Sequence, residues 1–317
     1  MASFVTGPVV EPDSLLAQLR NPTEVEGVPE NTLPLAVAAG WAYAEPSVFS
    51  TVMQRRGLVE PPWPKFIEMT NDAMFVCAKC YLLRVGDVVI LSFRGTEPTN
   101  IINWLADASV QMVKFHSGSS RVHGGFYRNI RALWPAVATE LLAAKPAHLY
   151  VTGHSFGAAL AVLAAALLAD YATDKHADDF APVWGALRGV YTFGQPMVGD
   201  ADFAKKYSGS FGDRLFRYVY ANDIVPHMPP KRRSLPLVHF GKAFHAAADE
   251  TWKPESKVTQ AVKSLIESNL VGALAWINDQ LSVVPRAALQ VSWADHAPQN
   301  YVRASLPAGA ESGSEFD

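Results

Sequence analysis

Apolar side chains recur at helical spacing over residues 31–55, and Pro46 divides that stretch into two predicted helices. Two β-rich runs follow at 74–85 and 88–93, and the dipeptide Gly86-Asp87 between them suits a hairpin turn. Beyond them, short apolar runs alternate with helical patterns. Such alternation predicts an α/β protein with a mainly parallel central sheet that carries helices on both faces.

The alternating region sets the expected order of elements. Helices are predicted at 126–144 and 156–169, and strands at 149–152, 190–193 and 215–220. Residues 251–284 predict a helical insert, as one long helix or as two shorter ones. Residues 1–29 lack sustained periodicity and predict an extended N-terminal arm, while 311–317 resemble a cloning scar. No linker-like stretch divides the chain, so we expect one domain over 1–310.

Composition and charge narrow the class of protein. Hydrophobic residues make up 49% of the 317 residues and charged residues 18%, which excludes global disorder. The net charge of −3 gives no indication of a basic surface that would bind nucleic acid or of a polybasic membrane anchor. The apolar run at 158–169 is too short for a transmembrane segment. Because no signal peptide opens the sequence, we expect a cytoplasmic protein or an exported one whose leader was removed. The oligomeric state stays open.

The chain has two cysteines, Cys77 and Cys80, in a CxxC spacing. No second CxxC or histidine pair completes a zinc site, so no metal is expected. Residues three apart on a strand face opposite sides, which makes a disulfide awkward. We therefore predict two free thiols in the core.

The sharpest chemical signal is the turn Gly153-His154-Ser155-Phe156-Gly157. It fits the G-x-S-x-G pattern between a predicted strand and a predicted helix, where a strained turn lifts the serine above the sheet. Glycines on both sides remove Cβ atoms that would clash, and the helix N-terminus favours developing negative charge. An ordinary glycine-rich turn between strand and helix is the alternative.

The segment TGHSFGAAL resembles the nucleophile segment of the class 3 lipases, the α/β-hydrolase family that includes the secreted fungal triacylglycerol lipases. Other segments are similar in the same chain order: VILSFRGT (89–96), NWLAD (103–107), VHGGF (122–126), YTFGQPMVGD (191–200), YVYANDIVPHMPP (218–230) and DHAPQNYV (295–302). The resemblance implies an α/β-hydrolase fold with a short helical lid, and a serine ester hydrolase.

A serine hydroxyl needs a base, and the base needs a group that orients it. In α/β-hydrolases these groups follow the serine in the order acid, then histidine. Asp223 comes directly after a predicted strand, and the resemblance assigns it the acid role; Asp200 is a weaker candidate that also suits a helix N-cap. The resemblance favours His296 as the base, with His245 in reserve.

Acyl transfer also needs donors for the oxyanion. One is expected to be the backbone N–H of Phe156, the residue after the nucleophile. The resemblance places a hydroxyl residue in the loop after an early strand, which here is Thr96; the alternative is that Thr96 merely ends that strand. No cofactor is required by this chemistry.

Residues 97–110 form an amphipathic segment that the resemblance makes a candidate lid over an acyl pocket. A fixed surface helix is the alternative. The apolar residues that a moving lid would expose to lipid are Ile101, Ile102, Trp104 and Leu105.

Together these features predict a carboxylester hydrolase with a Ser-His-Asp triad, foremost a lipase acting on acylglycerols. A short-chain, feruloyl or phospholipase A1-type esterase uses the same machinery, as does a thioesterase or acyltransferase. A hydrolase-like binding module without turnover is the alternative from another class. The expected partners are an ester or lipid substrate and a transient lipid interface.

Overall fold

The computed structural model describes residues 5–6, 12–25, 27–96, 111–116, 118–229, 236–255, 292–307 and 313–314. The candidate lid at 97–110, with Ile101, Ile102, Trp104 and Leu105, lies outside the described residues. So does most of the predicted insert, from 256 to 284.

Fourteen strands are described. In chain order they are β1 (Val5–Thr6), β2 (Glu24–Val25), β3 (Val28–Pro29), β4 (Lys65–Asn71), β5 (Val76–Val85), β6 (Val88–Phe93), β7 (Met112–Lys114), β8 (Arg121–His123), β9 (His148–His154), β10 (Leu187–Phe193), β11 (Leu215–Tyr220), β12 (Lys242–Ala246), β13 (Lys253–Pro254) and β14 (Gly313–Ser314).

The described α-helices lie mostly between these strands. They are α1 (Pro12–Arg20), α2 (Thr32–Trp41), α3 (Pro46–Arg55), α4 (Gly124–Ala144), α5 (Phe156–Tyr171), α6 (Ala177–Gly185), α7 (Ala201–Phe211) and α8 (Pro298–Ala304). None of them combines the length and the apolar character that crossing a bilayer requires.

Eight strands form the central sheet, in the order β13-β12-β11-β10-β9-β6-β5-β4. Five neighbouring strands of this sheet pair in parallel, namely β12, β11, β10, β9 and β6. The strands β4, β5 and β13 run antiparallel to their neighbours. Parallel neighbours align their carboxyl ends at one edge, so the loops after β6, β9, β10 and β11 open on the same edge of the sheet.

Alternate side chains of the strands enter two cores. On β6, Val89, Leu91 and Phe93 pack with residues of α4 to α7, whereas Val88 and Ile90 pack with residues of α2, α3 and α8. Because both faces are covered, every residue of β6 is buried, which explains why five of its six residues are apolar; the sixth, Ser92, donates to the carbonyl of Ala38 at 3.1 Å. The predicted α/β class, with a mainly parallel sheet and helices on both faces, is confirmed; the single-domain assignment stays a prediction.

Three features differ from the sequence-based expectation. Within the N-terminal arm, Pro12–Arg20 is a helix rather than extended chain, and its Leu19 is fully buried. Strands β4 and β12 were not predicted, and the start of the predicted helical insert 251–284 is wrong, because Lys253–Pro254 forms strand β13 against β12. The prediction of two core thiols is wrong for Cys77, which is exposed, while Cys80 is buried. Cys77 lies where β5 projects beyond the body of the sheet, so its side of the strand has no covering layer.

Candidate active site

Ser155 occupies the turn between β9 and α5 in a conformation that L-residues rarely adopt. Its backbone angles are φ 60° and ψ −126°, and its N–H donates to the carbonyl of Phe193 at 2.8 Å. Strain of this kind persists only where the surrounding structure enforces it. The turn therefore fixes the serine at the carboxyl edge of the sheet.

Two glycines make the turn possible. A Cβ atom on Gly157 would lie 2.1 Å from the carbonyl oxygen of Phe93, and one on Gly153 would lie 2.4 Å from the carbonyl oxygen of Gly157. Both obstacles are backbone atoms that cannot rotate away. Helix α5 thus approaches β6 and β9 at a distance that only glycine permits.

Asp223 and His296 meet although 73 residues separate them along the chain. His296 Nδ1 donates to Asp223 Oδ2 at 2.7 Å, and both side chains are buried. Asp223 follows β11, as predicted, and His296 lies in a short 3₁₀ turn before α8. With its proton on Nδ1, the neutral imidazole keeps an acceptor lone pair on Nε2.

The Asp223 carboxylate accepts two further hydrogen bonds. The N–H of Val225 donates to Oδ1 at 2.8 Å, and the hydroxyl of Tyr301 donates to Oδ2. Burial, reinforced by the charge of Asp223, raises the pKa of Tyr301 well above its ordinary value of 10.0. Tyr301 therefore stays protonated and supports the carboxylate as a donor.

The serine and the imidazole lie on different elements near the end of β10, and no hydrogen bond joins them. Ser155 is tied to Phe193 at the end of β10, and the next residue, Gly194, is so close to the imidazole that a Cβ there would lie 2.7 Å from His296 Cε1. Ser155 Oγ and His296 Nε2 are both buried and have no hydrogen-bond partner among the described residues. Buried polar atoms of this kind call for a role, since burial without a partner is costly.

His154 connects the turn to the base. Its Nε2 donates to the carbonyl oxygen of His296 at 2.8 Å, and its Nδ1 accepts from the hydroxyl of Tyr43 at 2.8 Å. Burial, together with the nearby imidazole of His296, lowers the pKa of His154 well below 6.5. His154 is therefore neutral, with its single ring proton on the nitrogen that faces His296.

The candidate oxyanion loop follows β6. A Cβ on Gly95 would lie 1.9 Å from the hydroxyl of Tyr43 and 2.8 Å from the carbonyl oxygen of His154, so this loop packs directly on the serine turn. Thr96 comes next and is partly buried. Phe156 is the first residue of α5, where the helix dipole places its positive end.

The alternative acid and base candidates lie in other settings. The Asp200 side chain accepts from the N–H of Phe203 at 2.9 Å and caps α7. His245 lies on β12, with its Nε2 3.8 Å from Glu255. Asp223 is thus grouped with His296 and not with His245. Sequence reasoning missed Tyr43 and Tyr301, whose contacts reach across 111 and 78 residues.

A separate cavity of about 870 Å³ lies beneath the N-terminal helices. Apolar side chains line most of it, among them Trp41, Met53, Leu58 and Trp252. Ser155, Asp223 and His296 are not among its lining residues, so the serine faces a different part of the molecule.

The parallel sheet, the strained serine turn and the Asp223–His296 pair at its carboxyl edge define a protein of the α/β-hydrolase class. A family profile described as "Lipase (class 3)" matches residues 90–233, which hold the serine turn and Asp223. Over these residues the chain is similar to the class 3 lipases.

Individual curated proteins are similar to the chain as well. The triacylglycerol lipase OBL1 of Arabidopsis thaliana is 30% identical over 197 residues, covering 49% of this chain and 37% of that protein. The lipase of Rhizomucor miehei is 32% identical over 161 residues, covering 49% of this chain and 41% of that protein. The chain thus spans about two fifths of the length of these curated relatives.

A solved structure gives the same fold. The lipase from Rhizopus microsporus var. chinensis superposes with a TM-score of 0.56 at 24% identity, covering 88% of this chain and 86% of that chain. At this level of identity the similarity concerns the fold alone.

Proposed function

We propose that this protein hydrolyses carboxylesters through an acyl-enzyme, as a lipase acting on acylglycerols. The observation that carries the proposal is the 2.7 Å contact between His296 Nδ1 and the buried Asp223 carboxylate, at the sheet edge that also bears Ser155. An oriented imidazole with an open Nε2 beside a strained serine is the arrangement that nucleophilic acyl transfer requires.

Acylation begins when Ser155 Oγ attacks the ester carbonyl carbon. His296 Nε2 takes the hydroxyl proton, and Asp223 stabilises the resulting imidazolium through Nδ1–H. The backbone N–H of Phe156 and the N–H and hydroxyl of Thr96 bind the negative oxygen of the tetrahedral intermediate. Collapse of the intermediate breaks the C–O bond, and the imidazolium gives its proton to the departing alcohol.

Deacylation repeats these steps with water as the nucleophile. His296 accepts a proton from water, hydroxide attacks the acyl carbon, and the proton returns to Ser155 Oγ as the carboxylic acid leaves. Atoms and charges balance with ester and water as the only reactants.

The substrate class rests on the relatives. Proteins named triacylglycerol lipase, and others named mono- and diacylglycerol lipase, resemble this chain at 30% to 32% identity. We carry the acylglycerol substrate over from them.

The test compares the parent protein with Ser155→Ala on p-nitrophenyl esters of increasing chain length. We expect kcat to fall by about four to six orders of magnitude. Equal turnover by both proteins would reject Ser155 as nucleophile, and no turnover by the parent on any ester would favour a binding module.

The identity of the base is tested with a matched pair. His296→Ala is expected to lose activity about as fully as Ser155→Ala, because the members of a triad act as a unit. His245→Ala, on β12, should retain it. The opposite result would transfer the base role to His245.

Hydrolysis of emulsified triolein, compared with a soluble ester, then separates a lipase from a short-chain esterase.

A further inference from the structure

Two large apolar side chains stand out from the protein at one turn. In the connection between β4 and β5, Met74 is 56% exposed and Phe75 is 77% exposed. Among the described residues, the next most exposed large apolar side chains are Val48, Phe66 and Met69, at 42%, 39% and 38%. We call Met74 and Phe75 the apolar tip.

The strand register places the apolar tip at the edge of the sheet that bears the serine. Cys80 of β5 pairs with Phe93, the last residue of β6, and Phe93 pairs with Gly153 at the serine turn. β5 runs antiparallel to β6, so Val76, the first residue of β5, lies about 13 Å beyond the level of Phe93 at roughly 3.3 Å per residue. The apolar tip therefore projects past the carboxyl edge that carries Ser155.

The backbone of the apolar tip is fully satisfied within the protein. The N–H of Met74 donates to Asn71 Oδ1 at 3.0 Å, and its carbonyl accepts from Arg128 at 3.2 Å. The N–H of Phe75 donates to the carbonyl of Asp72 at 3.1 Å, and its carbonyl accepts from Asn129 Nδ2 at 3.3 Å. All four backbone groups can thus leave water without losing a hydrogen bond, which removes the main cost of entering an apolar phase.

The apolar tip is also held in place. Asn129 of α4 is buried, and its Oδ1 accepts from the N–H of Cys77 at 2.9 Å while its Nδ2 bonds the Phe75 carbonyl. Phe75 takes the left-handed conformation, with φ 50°, and its side chain is exposed to solvent. These hydrogen bonds fix the backbone of the apolar tip, so its two exposed apolar side chains are held in place at the surface.

We propose that Met74 and Phe75 insert into the surface of a lipid droplet and turn the edge with Ser155 toward it. This inference rests on the proposed function, which supplies a lipid phase as substrate. Met74 and Phe75 are the two large apolar side chains exposed at this turn, and a thioether and an aromatic side chain suit the boundary of a lipid surface. The charges near the apolar tip balance. Glu68 is paired with Lys79 at 2.7 Å, and the exposed Asp72 of the same turn is offset by Arg128, which donates to the Met74 carbonyl, so the surface expected is a neutral one.

The experiment measures binding without turnover. In the Ser155→Ala background, flotation with triolein droplets coated with phosphatidylcholine gives the partition coefficient of the protein. Phe75→Ser should lower it about tenfold or more, and Met74→Ser with Phe75→Ser should lower it further, because each side chain loses its apolar burial. Val48→Ser, which removes a 42% exposed side chain from α3, should bind like the parent.

Thermal unfolding of each variant shows that the fold is retained. Equal partition of the parent and of the double variant would overturn the proposal. The alternative is that the apolar tip binds a second copy of this protein, which sedimentation equilibrium without lipid tests. A dimer that Phe75→Ser dissociates, with droplet binding unchanged, would also overturn the proposal. Because binding is measured on an inactive protein, loss of the proposed function would be seen separately, in the ester assays.

Discussion

His154 Nε2 donates to the carbonyl oxygen of His296 at 2.8 Å, so the neighbour of the nucleophile holds the backbone of the proposed base. The two imidazole centroids lie 4.5 Å apart. Tyr43 completes the arrangement by donating to His154 Nδ1, which leaves the single ring proton of His154 on the side of His296. Tyr43, which follows α2, thereby connects the N-terminal helices to the site at the carboxyl edge of the sheet.

We predict that His154→Leu lowers kcat by about ten- to hundredfold, since a displacement of about 1 Å of a catalytic group can cost about 10² in rate. KM on a soluble p-nitrophenyl ester should change little, because His154 does not line the acyl pocket in our proposal. Steady-state kinetics give both constants.

His154→Gln is the matched control, because its amide can donate to the same carbonyl. Its kcat should lie much closer to that of the parent. Tyr43→Phe should cause a smaller loss than His154→Leu, since it removes only the group that fixes the ring. If His154→Leu and His154→Gln lost activity equally, the hydrogen bond would have no positioning role.

The lowered pKa of His154 predicts how stability depends on pH. The folded protein keeps His154 neutral, whereas the unfolded chain binds a proton near the ordinary pKa of 6.5. As the pH falls below about 6.5, the unfolded state gains that proton first, and the free energy of unfolding falls by at most about 1.4 kcal/mol per pH unit for this group.

His154→Gln removes this group, so its free energy of unfolding should decrease less steeply with acidification. Urea denaturation between pH 5 and pH 8 measures both slopes. Identical slopes in the parent and the variant would show that His154 is not held neutral by the fold.

Local patterns were enough to predict the turn and most of the sheet. Short strands with covered faces are mostly apolar, as in β6, where five of six residues are. A G-x-S-x-G sequence between strand and helix specifies a strained turn through sterics alone. The partnership of Asp223 with His296 also followed, but from resemblance and not from periodicity.

Other features could not be predicted because distant contacts create them. The edge strand β4 has an exposed polar half and no clean alternation, since only its pairing with β5 holds it in place. Tyr43 and Tyr301 carry no local signature of a polar role, and their partners lie 111 and 78 residues away. A single sequence contains no record of such pairings.

The different exposure of the two cysteines on β5 gives a test of the hairpin formed by β4 and β5. Cys77 is exposed, whereas Cys80 is buried and burial raises its pKa, so its reactive thiolate is scarce. A maleimide should label the native protein once, and Cys77→Ser should abolish that labelling while Cys80→Ser leaves it. Mass spectrometry counts the adducts, and rapid labelling of native Cys80 would contradict the described burial of β5.

The serine turn yields the sharpest prediction for stability. A Cβ on Gly157 would lie 2.1 Å from the carbonyl oxygen of Phe93, so Gly157→Ala must push α5 away from β6. We expect a loss of about 3 kcal/mol or more in the free energy of unfolding, as for severe overpacking of a core. Gly185→Ala, at the end of α6, is the matched control because nothing lies within 4 Å of the added Cβ. It should be neutral or stabilising by up to about 1 kcal/mol, since alanine restricts the unfolded chain. Equal stability of the two variants by urea denaturation would mean that α5 and β6 are not as close as the turn geometry requires.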